Sequence, residues 1–184
     1  MTANLRLEPV IPAHAEHSFQ ALRAPRGYTY IPQDPPKSLE ALRTRYQRWA
    51  QRQSPDETEC WLNYMVYCCQ RQQYVGTLQA TLSAEKNYIA YAVFPEFWRH
   101  GIAREAVSGL VMYLFDVLSL PVLDAHVDTR NEASWNLLES LGFQRTLTID
   151  DADNFKGSTS HEYVYELVNS DWVRPKWELR LAPG

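Results

Sequence analysis

Apolar positions in this chain recur three and four apart in some stretches and two apart, or in short unbroken runs, in others. The switches between those regimes divide it into helices and strands. Leu39, Leu42, Tyr46 and Trp49 share one helical face, predicting a helix capped at Ser38 and running to about Arg52. Ala106, Leu110, Tyr113, Leu114 and Val117 predict a second, from about Gly101 to Leu118. Ala13 to Arg23 reads as a helix closed by Ala24-Pro25-Arg26-Gly27, and Glu132 to Leu141 as a short one between Asn131 and Gly142. Strands are predicted at Leu5–Glu8, Trp61–Cys69, Tyr74–Leu82, Asn87–Phe94, Val122–Asp128, Phe143–Ile149 and His161–Leu167. The proline-dense stretch Tyr28–Pro36 reads as a loop, and Asp150-Asp151-Ala152-Asp153 as the turn joining the last two strands.

Composition narrows the picture. A length of 184 residues suits one well-buried domain. A net charge of −4 with no basic stripe argues against nucleic acid as the main partner. No apolar run approaches the roughly twenty residues of a membrane span, and Met1-Thr2-Ala3-Asn4-Leu5 has no signal-peptide character, so a cytoplasmic protein is expected. The three cysteines, Cys60, Cys68 and Cys69, lack zinc-site spacing, and no metal is expected. The adjacent pair is expected to point to opposite faces of a strand.

The most informative stretch is Val93-Phe94-Pro95-Glu96-Phe97-Trp98-Arg99-His100-Gly101-Ile102-Ala103-Arg104. A strand passes through a basic, glycine-containing turn directly into a helix. The first N–H groups of a helix have no internal partner, and with Gly101 and Ala103 leaving room they can meet a diphosphate. Arg99 and Arg104 add charge at the rim. About thirty residues on, Val127-Asp128-Thr129-Arg130-Asn131-Glu132-Ala133-Ser134 repeats the strand-to-helix step, and that helix stops at Gly142-Phe143.

These two units, in this order and spacing, resemble the GNAT superfamily of N-acetyltransferases. The wording Trp98-Arg99-His100-Gly101-Ile102-Ala103-Arg104-Glu105-Ala106 is similar to the RimJ/RimL-like branch, the ribosomal-protein N-terminal acetyltransferases. The resemblance runs from Leu5 to about Leu167. It implies a single α/β domain (an α+β arrangement) over residues 1–168, with a mixed, mostly antiparallel sheet of six to seven strands. That sheet is splayed between its fourth and fifth strands and flanked by about four helices. Residues 169–184, with Trp172 and Trp177, have no clear counterpart and are expected to pack on the domain or on a partner subunit.

The resemblance also implies acetyl-CoA as co-substrate. Phe94, Val93, Trp98, Arg99, His100, Gly101, Ile102, Ala103, Arg104, Asn131 and Ser134 are its expected contacts, and the backbone N–H of Val93 is the expected oxyanion donor. Acetyl would pass directly to a primary amine in a ternary complex, because no cysteine sits in a nucleophile setting. The alternative is a non-catalytic acyl-CoA-binding or regulatory module.

The chain departs from the family where acid and base are expected. The tyrosine that many members carry four residues before the glycine of the Gly-Phe pair is Leu138 here, and Ser134 is the candidate to serve the departing sulfur. A glutamate often found near the start of the fourth strand is replaced by Tyr88. Glu85, His126, Asp128 and Glu162 remain as candidate bases, with a water chain as the alternative. His126, Glu162 and Ser134 form the catalytic set taken forward; Tyr28, Tyr30, Tyr91 and Asp151 are the acceptor-binding candidates. Acid plus aromatic suits a cationic amine: a peptide N-terminus, a polyamine or an aminosugar. A monomer or homodimer is expected.

Overall fold

A computed structural model describes residues 4–176 and 180–181. The chain runs β1 (Leu5–Pro9), α1 (His14–Leu22), α2 (Leu39–Trp49), β2 (Cys60–Cys68), β3 (Gln73–Leu82), β4 (Asn87–Val93) and α3 (Ile102–Met112), continuing as β5 (Val122–Asp128), α4 (Glu132–Ser140), β6 (Gln144–Phe155), β7 (Ser158–Val168) and β8 (Arg180–Leu181). All strands join one sheet in the order β6-β7-β5-β4-β3-β2-β1-β8. Its pairs are antiparallel except β4 with β5 and β1 with β8. The seven predicted strands and four helices are all present; the two-residue β8 is an addition.

Helices α1 and α2 cover one face of the sheet and α3 and α4 the other. Ser38 caps α2 by accepting the Ala41 N–H at 3.1 Å, and Leu42 and Tyr46 are buried beneath that helix. The Tyr46 phenol meets Ser18 of α1 at 2.9 Å, pinning the two helices together. On the opposite face α3 is apolar almost all round, with Ala106, Val107, Leu110 and Val111 buried. Truncating Leu110 to Ala would cost about 2–5 kcal/mol of stability, as for other fully buried leucines. Contrary to expectation, Val117 is 65% exposed. A π-turn over Tyr113–Val117 widens the helix end and shifts its phase, so Phe115 faces inward in its place, while Leu114 is buried as expected.

The decisive feature of the sheet is at β4 and β5, which pair only at Tyr88 and Asp124. That vertex is pinned: Asn87 Nδ2 donates to the Val122 carbonyl at 3.1 Å, and Lys86 Nζ to Asp124 at 2.9 Å. Beyond it the strands diverge, as expected. On its other side β4 is held tightly to β3, because a Cβ at Gly76 would overlap the Ala92 carbonyl oxygen.

The predicted turn at Asp150–Asp153 does not exist as such. Those residues lie inside β6, where a register shift between Ile149 and Asp153 absorbs them as a bulge. The hairpin turns at Lys156-Gly157, both with positive φ (52° and 75°), the geometry a two-residue hairpin loop requires. In the C-terminal extension, Trp172 is buried and packs edge-on against Phe115, and Arg180 pairs with Arg6 through β8. Trp177 lies outside the described residues.

Candidate active site

The gap between β4 and β5 opens toward the amino ends of α3 and α4. Phe94 N–H donates to the Val75 carbonyl at 2.8 Å. Alternation along the antiparallel ladder then turns the N–H groups of Tyr91 and Val93 away from β3 and into the gap. The Val93 carbonyl accepts the Trp98 indole N–H at 2.7 Å. Trp98 thereby braces the turn, while its ring stays exposed under the Arg26 guanidinium.

Two residues of that turn, Arg99 and Gly101, have positive φ (64° and 76°). For a non-glycine residue such as Arg99 this conformation costs on the order of 1 kcal/mol or more, the kind of strain that gathers at ligand sites. Gly101 is the N-cap of α3, with no atom within 4 Å of where its Cβ would be. The first α-helical bond runs from Glu105 N–H to the Gly101 carbonyl. The N–H groups of Ile102, Ala103 and Arg104 therefore have no acceptor within the helix. Ile102 is buried, His100 turns its Nδ1 back to the Trp98 carbonyl at 2.8 Å, and Arg104 ties α3 to α4 through the Ser140 hydroxyl at 2.7 Å. Across the gap Asn131 caps α4, accepting the Ser134 N–H at 3.3 Å.

Behind this second unit, Asp128 is buried and bound to Arg130 and Ser160. Burial alone would raise its pKa, but the Arg130 side chain and N–H and the Ser160 hydroxyl together hold it below the usual carboxylate value. It is a structural clamp: its hydrogen bonds go to Arg130 and Ser160, not to His126 two residues away on the same face of β5.

On the α1/α2 side of the gap, past the end of α2, the sheet is bare. Tyr88, Ala90 and Ala92 are exposed along β4. Beside them His126 Nδ1 lies 3.0 Å from Glu162 Oε2, both about one-third exposed, with Tyr88 edge-on to the imidazole. Two of the candidate bases are thus one pair.

The loop after α1 spans the mouth of the cleft. Its Gly27 lies against Pro95, and its far end is latched by Lys156, whose Nζ donates to the carbonyls of Tyr28, Ile31 and Gln33 at 2.6, 2.5 and 2.9 Å. No local pattern in the sequence announces that latch.

A model of the GNAT acetyltransferase domain matches residues 4–144. The chain belongs to that family.

Over 100 residues this GNAT chain is 35% identical to the uncharacterized N-acetyltransferase YoaA of Bacillus subtilis (strain 168), which covers 53% of the chain and 56% of that protein. It is 29% identical over 113 residues to the uncharacterized N-acetyltransferase p20 of Bacillus licheniformis, covering 60% of the chain and 64% of the relative. The chain spans less than two-thirds of the length of the curated relatives it matches. Among solved structures, the spermidine N-acetyltransferase of Vibrio cholerae in complex with CoA and spermine superposes with a TM-score of 0.78 at 17% identity, covering 92% of this chain and 98% of that one. The ribosomal-protein-S5-alanine acetyltransferase of Vibrio fischeri gives 0.74 at 18%, covering 94% and 97%. These two likenesses are of fold. Among the described residues no helix is long and apolar enough to cross a membrane.

The acceptor candidates fare differently within the GNAT fold. Tyr28 folds inward on a single 3₁₀ turn and is buried, so its phenol does not line the cleft, whereas Tyr30 stays at the surface. Tyr91 faces α3 and α4, the side opposite the bare sheet, and bonds to Ser134. Asp151 projects from the edge strand β6, where its backbone N–H meets His161 at 3.1 Å. Glu85 sits exposed in the turn before β4.

Proposed function

We propose that this protein is an acetyl-CoA-dependent N-acetyltransferase of the RimJ/RimL-like branch that passes acetyl directly to a primary amine. The observation that carries the reading is the splay at Tyr88 and Asp124, which opens onto the unpaired N–H groups at the start of α3. The site fits the co-substrate. The turn from Arg99 to Ala103 offers backbone donors and an empty space above Gly101 for a diphosphate. The edge of β4 offers Tyr91 and Val93 main-chain groups to a chain of amides.

Acetyl transfer to an amine sets three demands: a base for the attacking nitrogen, a donor for the developing oxyanion, and a donor for the departing sulfur. His126, backed by Glu162, takes the first role, since it lies on the bare face that the amine would approach. The N–H of Val93 or of Tyr91 takes the second. Ser134, with Tyr91 behind it, takes the third. Holding both substrates in one cleft then supplies much of the rate. The cysteines have no part in this scheme, because Cys68 is buried among core residues and Cys60 and Cys69 lie on the surface.

The reading is tested by acetyl-CoA-dependent thiol release across short peptides, polyamines and aminosugars, with acetyl-CoA binding measured on the same preparation. Turnover with one amine class is the expected result. Binding with no release for any amine would leave an acyl-CoA-binding module, and no binding would overturn the assignment of the Gly101 turn.

A further inference from the structure

A cavity of about 400 Å³ lies on the α1/α2 face, between the end of α2 and strands β2, β3 and β4. Trp49 of α2, Trp61 and Asn63 of β2, Gln79 of β3 and Tyr88 of β4 line it, together with Glu59 just before β2. The charge in its lining favours a positive guest. Glu59 is the only charged side chain in the lining, and among the described residues it forms no ion pair. Its Oε2 accepts the Trp61 indole N–H at 2.8 Å, which fixes the carboxylate while leaving its other oxygen open. Gln79 donates to Asn63 at 2.8 Å, so its own amide oxygen remains as an acceptor. The two indoles add π-faces, which attract ammonium groups. No lysine, arginine or histidine lines the space.

One wall of the cavity leads to the reacting centre. Tyr88 borders it on one side and packs against His126 on the other, ring centroids 5.2 Å apart. We infer that this cavity is a subsite for a second ammonium group on the acceptor, so that the acceptor class is a linear amine carrying a further positive charge. Glu59 and the indoles hold the distal cation, while the nitrogen to be acetylated lies beyond Tyr88 beside His126. The inference rests on the acetyltransferase reading for the reacting end only; the cation subsite stands on the cavity itself. It also relocates the acidic partner of the acceptor from Asp151 to Glu59.

The test uses the full chain with diaminobutane and butylamine as probes, and calorimetry with and without CoA. Diaminobutane should bind about tenfold or more tightly than butylamine, the effect of one charge-assisted contact. Glu59→Gln, which can keep the Trp61 hydrogen bond, should abolish that preference while leaving butylamine and CoA affinities unchanged. In turnover the same variant should raise KM for the diamine with kcat unaltered. Equal affinity for the two amines, or a preference that survives Glu59→Gln, would overturn the subsite. Glu59-dependent diamine binding without acetyl transfer would leave the subsite standing and sink the acetyltransferase reading. Transfer to both amines with no dependence on Glu59 would do the reverse.

Discussion

The Tyr91 phenol reaches from β4 to helix α4 and lies 2.8 Å from the Ser134 hydroxyl. Burial pushes the phenol pKa up to about 12, although the Ser134 contact opposes the shift, so Tyr91 stays protonated at neutral pH. The helix position where the family often carries tyrosine holds Leu138, fully buried in the core. A phenol is nonetheless delivered to the same helix from the facing strand.

Ser134→Ala and Tyr91→Phe should each lower kcat on the order of tenfold to a hundredfold, with a smaller change in acetyl-CoA affinity. Because the two hydroxyls act as a unit, the double variant should be little worse than either single one. Steady-state kinetics beside direct binding checks this. Weakened binding at unaltered turnover would make the pair a ligand contact and nothing more.

Gly101→Glu should abolish acetyl-CoA binding and leave the fold intact, since its carboxylate would occupy the open space above α3. Gly101→Ala is the control: it fits sterically but meets a φ of 76°, costing on the order of 1 kcal/mol of stability while binding persists. Circular dichroism melts and calorimetry separate the two effects.

His126→Ala should reduce kcat/KM about a hundredfold or more, the usual scale for loss of a general base. Glu162→Gln should cost less, because it removes the charge beside the imidazole and keeps an amide that can still hydrogen-bond to it. Neither change should alter acetyl-CoA affinity, as both side chains lie on the face of the sheet opposite α3 and α4. An unchanged rate in His126→Ala would return the proton to a water chain.

Asp128 makes stability depend on pH. Its folded pKa is depressed, so its contribution is complete above the unfolded aspartate value of about 3.9 and is lost as pH falls through the lower folded value. Asp128→Asn should therefore be less stable than the parent at pH 7, and the two should converge toward pH 3. Urea midpoints across that range measure the difference. Parallel curves would show that the Arg130 clamp contributes nothing.

Much of this architecture was legible from local patterns, because the two strand-to-helix units carry their own punctuation. Gly101, Asn131 and Gly142 mark the ends of α3 and α4 through requirements of backbone geometry and capping that hold in any context. The facing of β4 was not read: Tyr91 was expected at the acceptor, whereas alternation groups it with Ile89 and Val93 on the helix-covered side and leaves Tyr88, Ala90 and Ala92 on the bare one. The β6 bulge was not legible, since Asp150–Asp153 has the composition of a turn and only pairing with β7 keeps it extended. The phase change at Tyr113–Val117 likewise has no local sign. Neither the His126–Glu162 pair nor the cation cavity was visible, because each depends on the register between separate strands, which no local pattern fixes.

The single bridge between β4 and β5 has a mechanical meaning. It divides the sheet into two panels, one of β5, β6 and β7 and the other of β4, β3, β2, β1 and β8, bound along a spine at Tyr88 and Asp124 with α3 and α4 as braces. Amides bordering the opening have no neighbouring strand to shield them, so the panels can breathe like the covers of a book. A molecule lying along the opening would touch both covers at once and stiffen the whole binding, so that occupancy would register in the rigidity of the sheet as much as in the chemistry beside it.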